Sequence, residues 1–273
     1  MAGIVIGFVL LTGIFFILER ISPGIKGQRI LRRGFWTDLI YWFFTPLVSK
    51  TLASFVVLAP AFVLIAAGIV SAEQLKNHAY FGFGPVSRQP VWLQALEMFV
   101  VGDFIGYWMH RLFHTGRWWK FHAVHHSSQE VDWLSSVRLH PVNDLATRFV
   151  QVFPPLFLGF NPTVLVAYTP VLAFYSILLH ANVNWSYGPL RAVIASPVFH
   201  RWHHTNEEAG LDKNFAGFFP FWDLLFGTYY MPKGQLPTQF GIPDKMPEHI
   251  VGQLLFPFRG EGRDANNDGH RVE

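Results

Sequence analysis

The chain has 273 residues, 51% of them hydrophobic, 17% aromatic and only 14% charged, against roughly 25% charged in an average soluble domain. Such a composition buries readily and excludes disorder for most of the chain. The absence of cysteine (Cys 0) excludes disulfides, thiolate zinc sites, iron–sulfur clusters and cysteine nucleophiles. A net charge of +3 without a clustered basic face argues against a nucleic-acid partner.

Residues 2–18 carry no charge and predict a first membrane span. A signal peptide is the competing reading, but the segment lacks a basic n-region and ends in Glu19-Arg20. A second apolar tract, 35–70, is interrupted by Asp38, Lys50, Pro46 and Pro60. It is too long for one span, so a long kinked helix or a span plus an interfacial segment is expected. Residues 91–109 form a third tract, with Glu97 and Asp103 inside it; charges at that depth usually face a bundle interior or a cavity. The fourth, 149–180, is broken at Gly159-Phe160-Asn161-Pro162, which predicts a helical hairpin with pieces of roughly 11 and 18 residues.

The expected fold is therefore all-α: an integral membrane helical bundle of about four membrane helices or hairpins. Loop 19–34 carries Arg20, Lys26, Arg29, Arg32 and Arg33 against Glu19, which places it in the cytoplasm by the positive-inside bias. A multi-pass protein with a cytoplasmic His-rich helical cap follows from that orientation. One domain is expected over 1–258, with the polar stretch 259–273 as a disordered tail.

Ten of the 13 histidines lie between 110 and 204. His110 and His114 form HxxxH; His122, His125 and His126 form HxxHH; His200, His203 and His204 form HxxHH again. Residues three and four apart share a helix face, so each group reads as a ready half of a metal site. Neutral imidazole suits iron, zinc and copper. Eight or nine imidazoles exceed one ion's needs and suit two metals held close together. No HExxH is present, which lowers the case for a metal hydrolase.

His180, at the end of the hairpin, is a candidate further ligand, and His140 is balanced between ligand and supporting residue. His78, His249 and His270 read as ordinary surface residues. Asp103, Asp132, Asp144 and Asp223 are candidates to orient the imidazoles through their other ring nitrogen, or to cap structure. Phe104, Trp108, Phe113, Trp118 and Trp119 read as a lipid route or an interfacial belt. Arg111, Arg138 and Arg201 suit either a lipid head group or structural acids.

The stretches HRLFH, HAVHHSS and HRWHH, followed by LDKNFAGFFPFWDLLFGT, resemble the fatty acid hydroxylase / sterol desaturase superfamily of membrane di-iron enzymes from about Asp103 to Thr228. HHSSQEVDWLSSVR and GPLRAVIASPVFHRWHHTNEEAGLDKNFAG are most similar to its alkylglycerol monooxygenase branch and to bacterial sterol desaturase-like proteins. The resemblance implies two Fe ions, O2 as co-substrate, a membrane lipid substrate and hydroxylation or desaturation of a C–H bond. It carries His110, His114, His122, His125, His126, His200, His203 and His204 over as metal ligands and catalytic residues, with His180 matching a further His. The branch has Glu directly after the second His of the first box, where this chain has Thr115. That departure weakens ether-lipid specificity and a pterin cofactor. The chain shows no cytochrome b5 domain and no G-x-G-x-x-G, so a separate electron donor (a cytochrome, a ferredoxin-like protein or a pterin system) is expected. Imidazole binds zinc more tightly than Fe(II), so purified protein can carry zinc instead. The alternative is a non-catalytic metal-binding membrane protein, such as a transporter or sensor.

Overall fold

In the computed structural model, described for residues 2–76 and 81–259, the uncharged N-terminal stretch forms one helix. This helix, α1 (Ala2–Ile21), buries only Phe15. Val5, Val9, Leu10, Ile14 and Ile17 stand exposed along it. An apolar surface of that extent is not stable in water and marks a contact with lipid or protein. His78, His270 and, apart from Arg259, the stretch 259–273 lie outside the described residues.

The second tract resolves as one continuous helix, α2 (Phe35–Ala66), with Pro46 and Pro60 inside it. Short helices α3 (Ala72–Lys76) and α4 (Gly84–Ser87) lead to α5 (Val91–Phe113). After a sharp turn at Gly116 (φ 46°) comes α6 (Gly116–His126). A 3-10 turn (Trp133–Val137) precedes α7 (Pro141–Phe157) and α8 (Pro162–His180). The short helices α9 (Pro197–His203), α10 (Phe221–Leu225) and α11 (Ile250–Leu255) complete the described chain. No strand occurs among the described residues; two isolated bridges pair Pro23 with Val183 and Thr205 with Phe240.

The predicted hairpin is present, but its first arm begins earlier than expected, because His140 caps α7 and Pro141 occupies its first position. Its turn needs glycine. Gly159 has φ 89°, and a Cβ there would lie 2.2 Å from the Phe83 carbonyl oxygen. α5 packs against α7 and α8. At Gly102 a Cβ would meet the Tyr168 hydroxyl at 2.5 Å, so this crossing also requires the missing side chain. Among the described residues, α1 and α8 are long and apolar enough to cross a membrane.

Buried charge ties the N-terminal helices to the His-rich part. Asp38 pairs with Arg138 (2.6 Å) and Arg32 (2.8 Å), and Arg32 also grips Asp132. Of the five cations counted in loop 19–34, Arg32 is therefore a buried structural residue. Arg33 pairs with Glu248 at the surface, where Arg20, Lys26 and Arg29 also stand. Glu19 accepts from the backbone N–H groups of Trp133 and Asn182 (3.2 and 2.9 Å), which fastens the end of α1 to the segment just after α8.

Candidate metal centre

Helix periodicity brings the boxes to one place, and the tertiary fold then divides them. His110, His114, His122, His126 and His203 offer ring nitrogens within 4.8 Å of one another; His125, His180, His200 and His204 do the same. All nine histidines singled out as ligands fall in these two groups. The first box keeps both its histidines in one group, as expected, while the second and third boxes are each split between the two groups. His122 and His126, one turn apart on α6, face the five-membered group, while His125 between them faces the other. On α9, His200 and His204 face the four-membered group and His203 faces away. The groups abut: the His126 and His204 rings stack with centroids 4.3 Å apart.

Local sequence explains the frame. α9 starts at Ser196, whose hydroxyl accepts from the Phe199 N–H (3.1 Å), followed by Pro197. All seven of its residues are buried; Phe199 and Trp202 sit in the apolar cluster with Tyr107, Leu179 and Phe215. Asp132 caps the 3-10 turn, accepting from the Leu134 and Ser135 N–H groups. That turn delivers the Arg138 carbonyl to His125.

Six rings are held by acceptors. His110 Nδ1 donates to the Phe215 carbonyl (2.8 Å), His203 to Lys213 (2.8 Å), His180 to Ser176 (2.7 Å) and His125 to Arg138 (3.2 Å). His122 donates to Asn143 Oδ1 (2.7 Å) and His114 to Asp212 Oδ1 (3.0 Å). A carbonyl or carboxylate oxygen only accepts, so Nδ1 carries the proton and Nε2 keeps its lone pair.

That tautomer tests the fit to a metal. His110 and His122 place their Nε2 atoms 3.0 Å apart, and His125 and His180 place theirs 3.1 Å apart. With Nδ1 protonated on all four neutral rings, each pair is two lone pairs facing each other with no proton between. A cation between them removes the repulsion. Two nitrogens each about 2.1 Å from one ion, at roughly right angles, stand about 3.0 Å apart. His114 and His203 also bury Nε2 without a partner, an arrangement that is costly without a bound ion. The residues fit two borderline divalent metals.

Burial holds the rings neutral. Desolvation, reinforced by neighbouring imidazoles, pushes His114, His122, His125, His126, His200, His203 and His204 well below the ordinary histidine range. Neutral imidazole is the metal-binding form. Phe113 and Trp119 pack on this wall: Trp119 lies 5.2 Å from the His114 ring, and Phe113 5.9 Å from that of His122.

The structure decides between the alternatives for the remaining candidates. Among the described residues, Asp103, Asp132 and Asp223 form no hydrogen bond to an imidazole. Asp103 accepts from the N–H groups of Gly217, Phe218 and Phe219, and Asp223 from those of Phe215 and Ala216. They anchor the backbone that orients the rings, one step further out. Asp144 pairs with Arg148. His140 is neither ligand nor ring-orienting residue: Nδ1 accepts from the Val142 N–H and Nε2 donates to the Leu254 carbonyl. His249 is exposed and caps α11. Arg138 is held by Asp38, and buried Arg201 donates to the Val131 carbonyl; both are structural. Arg111 donates to the Tyr107 hydroxyl. Phe104 and Trp108 pack on Trp222 and Phe226, and Trp118 on Phe113. Thr115 donates to the Leu112 carbonyl.

Asn143, Asp212 and the carbonyl of Lys213 were not identified from the sequence. One signal was available for the loop. Asp212 and Asn214 adopt φ 53° and 60°, a conformation that Asp and Asn accept more easily than most residues. Asn214 then locks the loop, donating to the Phe199 and Tyr230 carbonyls.

Two groups of histidines within one helical frame, six of the nine rings held by outer acceptors, form a site able to hold metal ions, as in the histidine-box class. A fatty acid hydroxylase family model matches residues 95–228, which includes all nine histidines. The chain belongs to the fatty acid hydroxylase superfamily. It is 31% identical over 200 residues to ornithine lipid hydroxylase OlsE of Rhizobium tropici, covering 73% of this chain and 60% of that protein. It is 33% identical over 155 residues to alkylglycerol monooxygenase of Homo sapiens, covering 56% and 34%. Very-long-chain aldehyde decarbonylase GL1-7 of Oryza sativa subsp. japonica is 30% identical over 139 residues, with coverage of 46% and 21%. The chain thus spans 60% or less of the length of these relatives. No solved structure matches it.

Proposed function

We propose that this chain is a membrane-bound non-haem oxygenase that holds two iron ions and uses O2 to hydroxylate a C–H bond of a membrane lipid. The observation that carries this reading is the gathering of nine buried imidazoles into two abutting groups, with Nε2 lone pairs facing each other. Relatives named as hydroxylase and monooxygenase support it. His110, His114, His122, His126 and His203 hold one ion; His125, His180, His200 and His204 hold the other. We read 1–258 as one domain, multi-pass in the membrane, with its histidine-bearing end in the cytoplasm.

Bound iron supplies the redox chemistry of O2 activation. Overall, one oxygen atom enters the C–H bond and the other leaves as water, with two electrons and two protons from a separate donor. The chain's own residues do the rest. The Phe215, Lys213, Arg138 and Ser176 carbonyls, with Asn143 and Asp212, keep Nδ1 protonated and Nε2 inward. An all-imidazole set is neutral, so each ion keeps its full positive charge. Phe113 and Trp119 close the rings off from water on one side, which protects a reactive centre from side reactions. The apolar surfaces of α1 and α8 hold the protein where its substrate resides.

The test is comparative lipidomics of cells carrying the wild-type chain or His203→Ala, with metal content measured on both proteins. The expected result is a lipid heavier by one oxygen that disappears in the variant. A species lighter by two hydrogens would instead assign desaturation. Folded wild-type protein that binds no metal would sink the two-metal reading.

A further inference from the structure

A cavity of ≈ 400 Å³ opens between α1, the loop 23–30 and the 3-10 turn at Trp133. None of its lining residues is one of the nine histidines. We propose that this cavity seats a lipid with an anionic head group, its chain against Phe8, Phe16 and Trp133 and its head among Arg20, Lys26 and Arg29. The inference is independent of the oxygenase reading.

The two ends of the cavity differ in chemistry. Phe8, Phe16, Phe35, Trp133 and Leu134 form an apolar wall on the lipid-facing helix α1 and beside it. The rim carries Arg20, Lys26 and Arg29, all exposed. None of the three is in an ion pair among the described residues. Two acids also line the cavity. Asp132 is already neutralised by Arg32. Glu19 directs Oε1 at two backbone N–H groups, so a net positive rim remains. Lys or Arg at a membrane surface attracts anionic lipid by several-fold per residue.

Two polar atoms in the wall await a partner. Gln28 donates through Nε2 to the Val131 carbonyl (3.2 Å), while its Oε1 is buried and unbonded. Thr12 Oγ1, deeper along α1, is likewise buried without a partner. A head group bearing a hydroxyl, as in a phosphoglycerol, donates to Gln28 Oε1. The carbonyl of an acyl linkage accepts from the Thr12 hydroxyl. Two unsatisfied groups beside the apolar wall of the cavity are polar handles of the kind that orient a ligand.

The test is native mass spectrometry of the full chain in neutral detergent, titrated with dioleoyl phosphatidylglycerol or dioleoyl phosphatidylcholine. The expected result is a preference for phosphatidylglycerol on the order of tenfold. It should fall to parity in a Lys26→Ala/Arg29→Ala variant and shrink in wild-type protein at high salt. Thr12→Phe, which fills the cavity, weakens both lipids. Equal affinity in the wild type, or a preference that survives both the double variant and salt, would overturn the proposal. So would displacement of the lipid by millimolar inorganic phosphate, which would mark a free-anion site instead. Loss of lipid oxygenation with the preference intact speaks against the oxygenase alone; loss of the preference with oxygenation intact removes only this seat.

Discussion

The two imidazole groups are built differently. The five-membered group draws on α5, α6 and α9, and four of its rings have a fixed Nδ1 acceptor: the Phe215 and Lys213 carbonyls, Asn143 and Asp212. In the four-membered group only His125 and His180 are fixed in this way. His200 and His204 bury Nδ1 without a partner. One group is therefore rich in ligands and held from outside; the other has fewer ligands and relies on helix packing around α9. An ion held by the second group would have fewer imidazoles around it and so more room for an exogenous ligand, as catalytic sites require.

The sharpest way to break this comparison is to remove one ligand from each group. His180→Ala leaves three imidazoles and should give about one metal per chain, whereas His126→Ala leaves four and should retain two. Lipid oxygenation should fall by at least about 100-fold in both, beyond the effect of losing an outer partner. Equal metal loss in the two variants would show that the groups do not differ as the geometry indicates.

Asp38→Asn removes the shared partner of Arg32 and Arg138 and leaves buried cations under-compensated. Breaking such a pair costs about 3–5 kcal/mol, read as a drop in thermal unfolding temperature. Because Arg138 also presents its carbonyl to His125, the four-membered group should lose its metal first on heating. A loss of similar size in both groups would assign Asp38 to general stability.

Outer partners come next. Asn143→Ala should weaken metal binding about 10- to 100-fold in the five-membered group, measured by competition with a chelator. Asp212→Ala should fall at the lower end of that range, because its side chain is largely exposed. His140→Ala gives the smallest effect: a lost helix cap of about 1 kcal/mol, with two metals still bound. Metal loss in that variant would return His140 to the site.

Much of the site was legible because i, i+3 and i+4 spacing is a local property. Each box announces a candidate metal-binding pattern within five residues, which yields eight of the nine histidines; His180 came from its place at the end of the hairpin and from the family resemblance. The α7–α8 hairpin was equally local, marked by Gly159 and Pro162. Tertiary structure decided which ion each ring faces. His125 and His126 are adjacent in sequence, yet successive helix positions point about 100° apart, and only the placement of α8 and α9 puts a second group in that direction. The orienting acceptors were hidden for a related reason. Most are backbone carbonyls, which every residue type carries. Of the four carboxylates proposed for that role, Asp103 and Asp223 anchor backbone N–H groups, Asp132 caps a turn and balances buried Arg32, and Asp144 pairs with the part-exposed Arg148. Loop charge was misleading at Arg32, since counting cations does not reveal that one is buried against Asp38 and Asp132. Residue type and spacing alone were enough to mark a histidine-rich candidate metal site and a chain that prefers an apolar surrounding. The fold decided how those imidazoles divide, which protons they keep and which charges remain at the surface, because each depends on groups that meet only when distant segments pack.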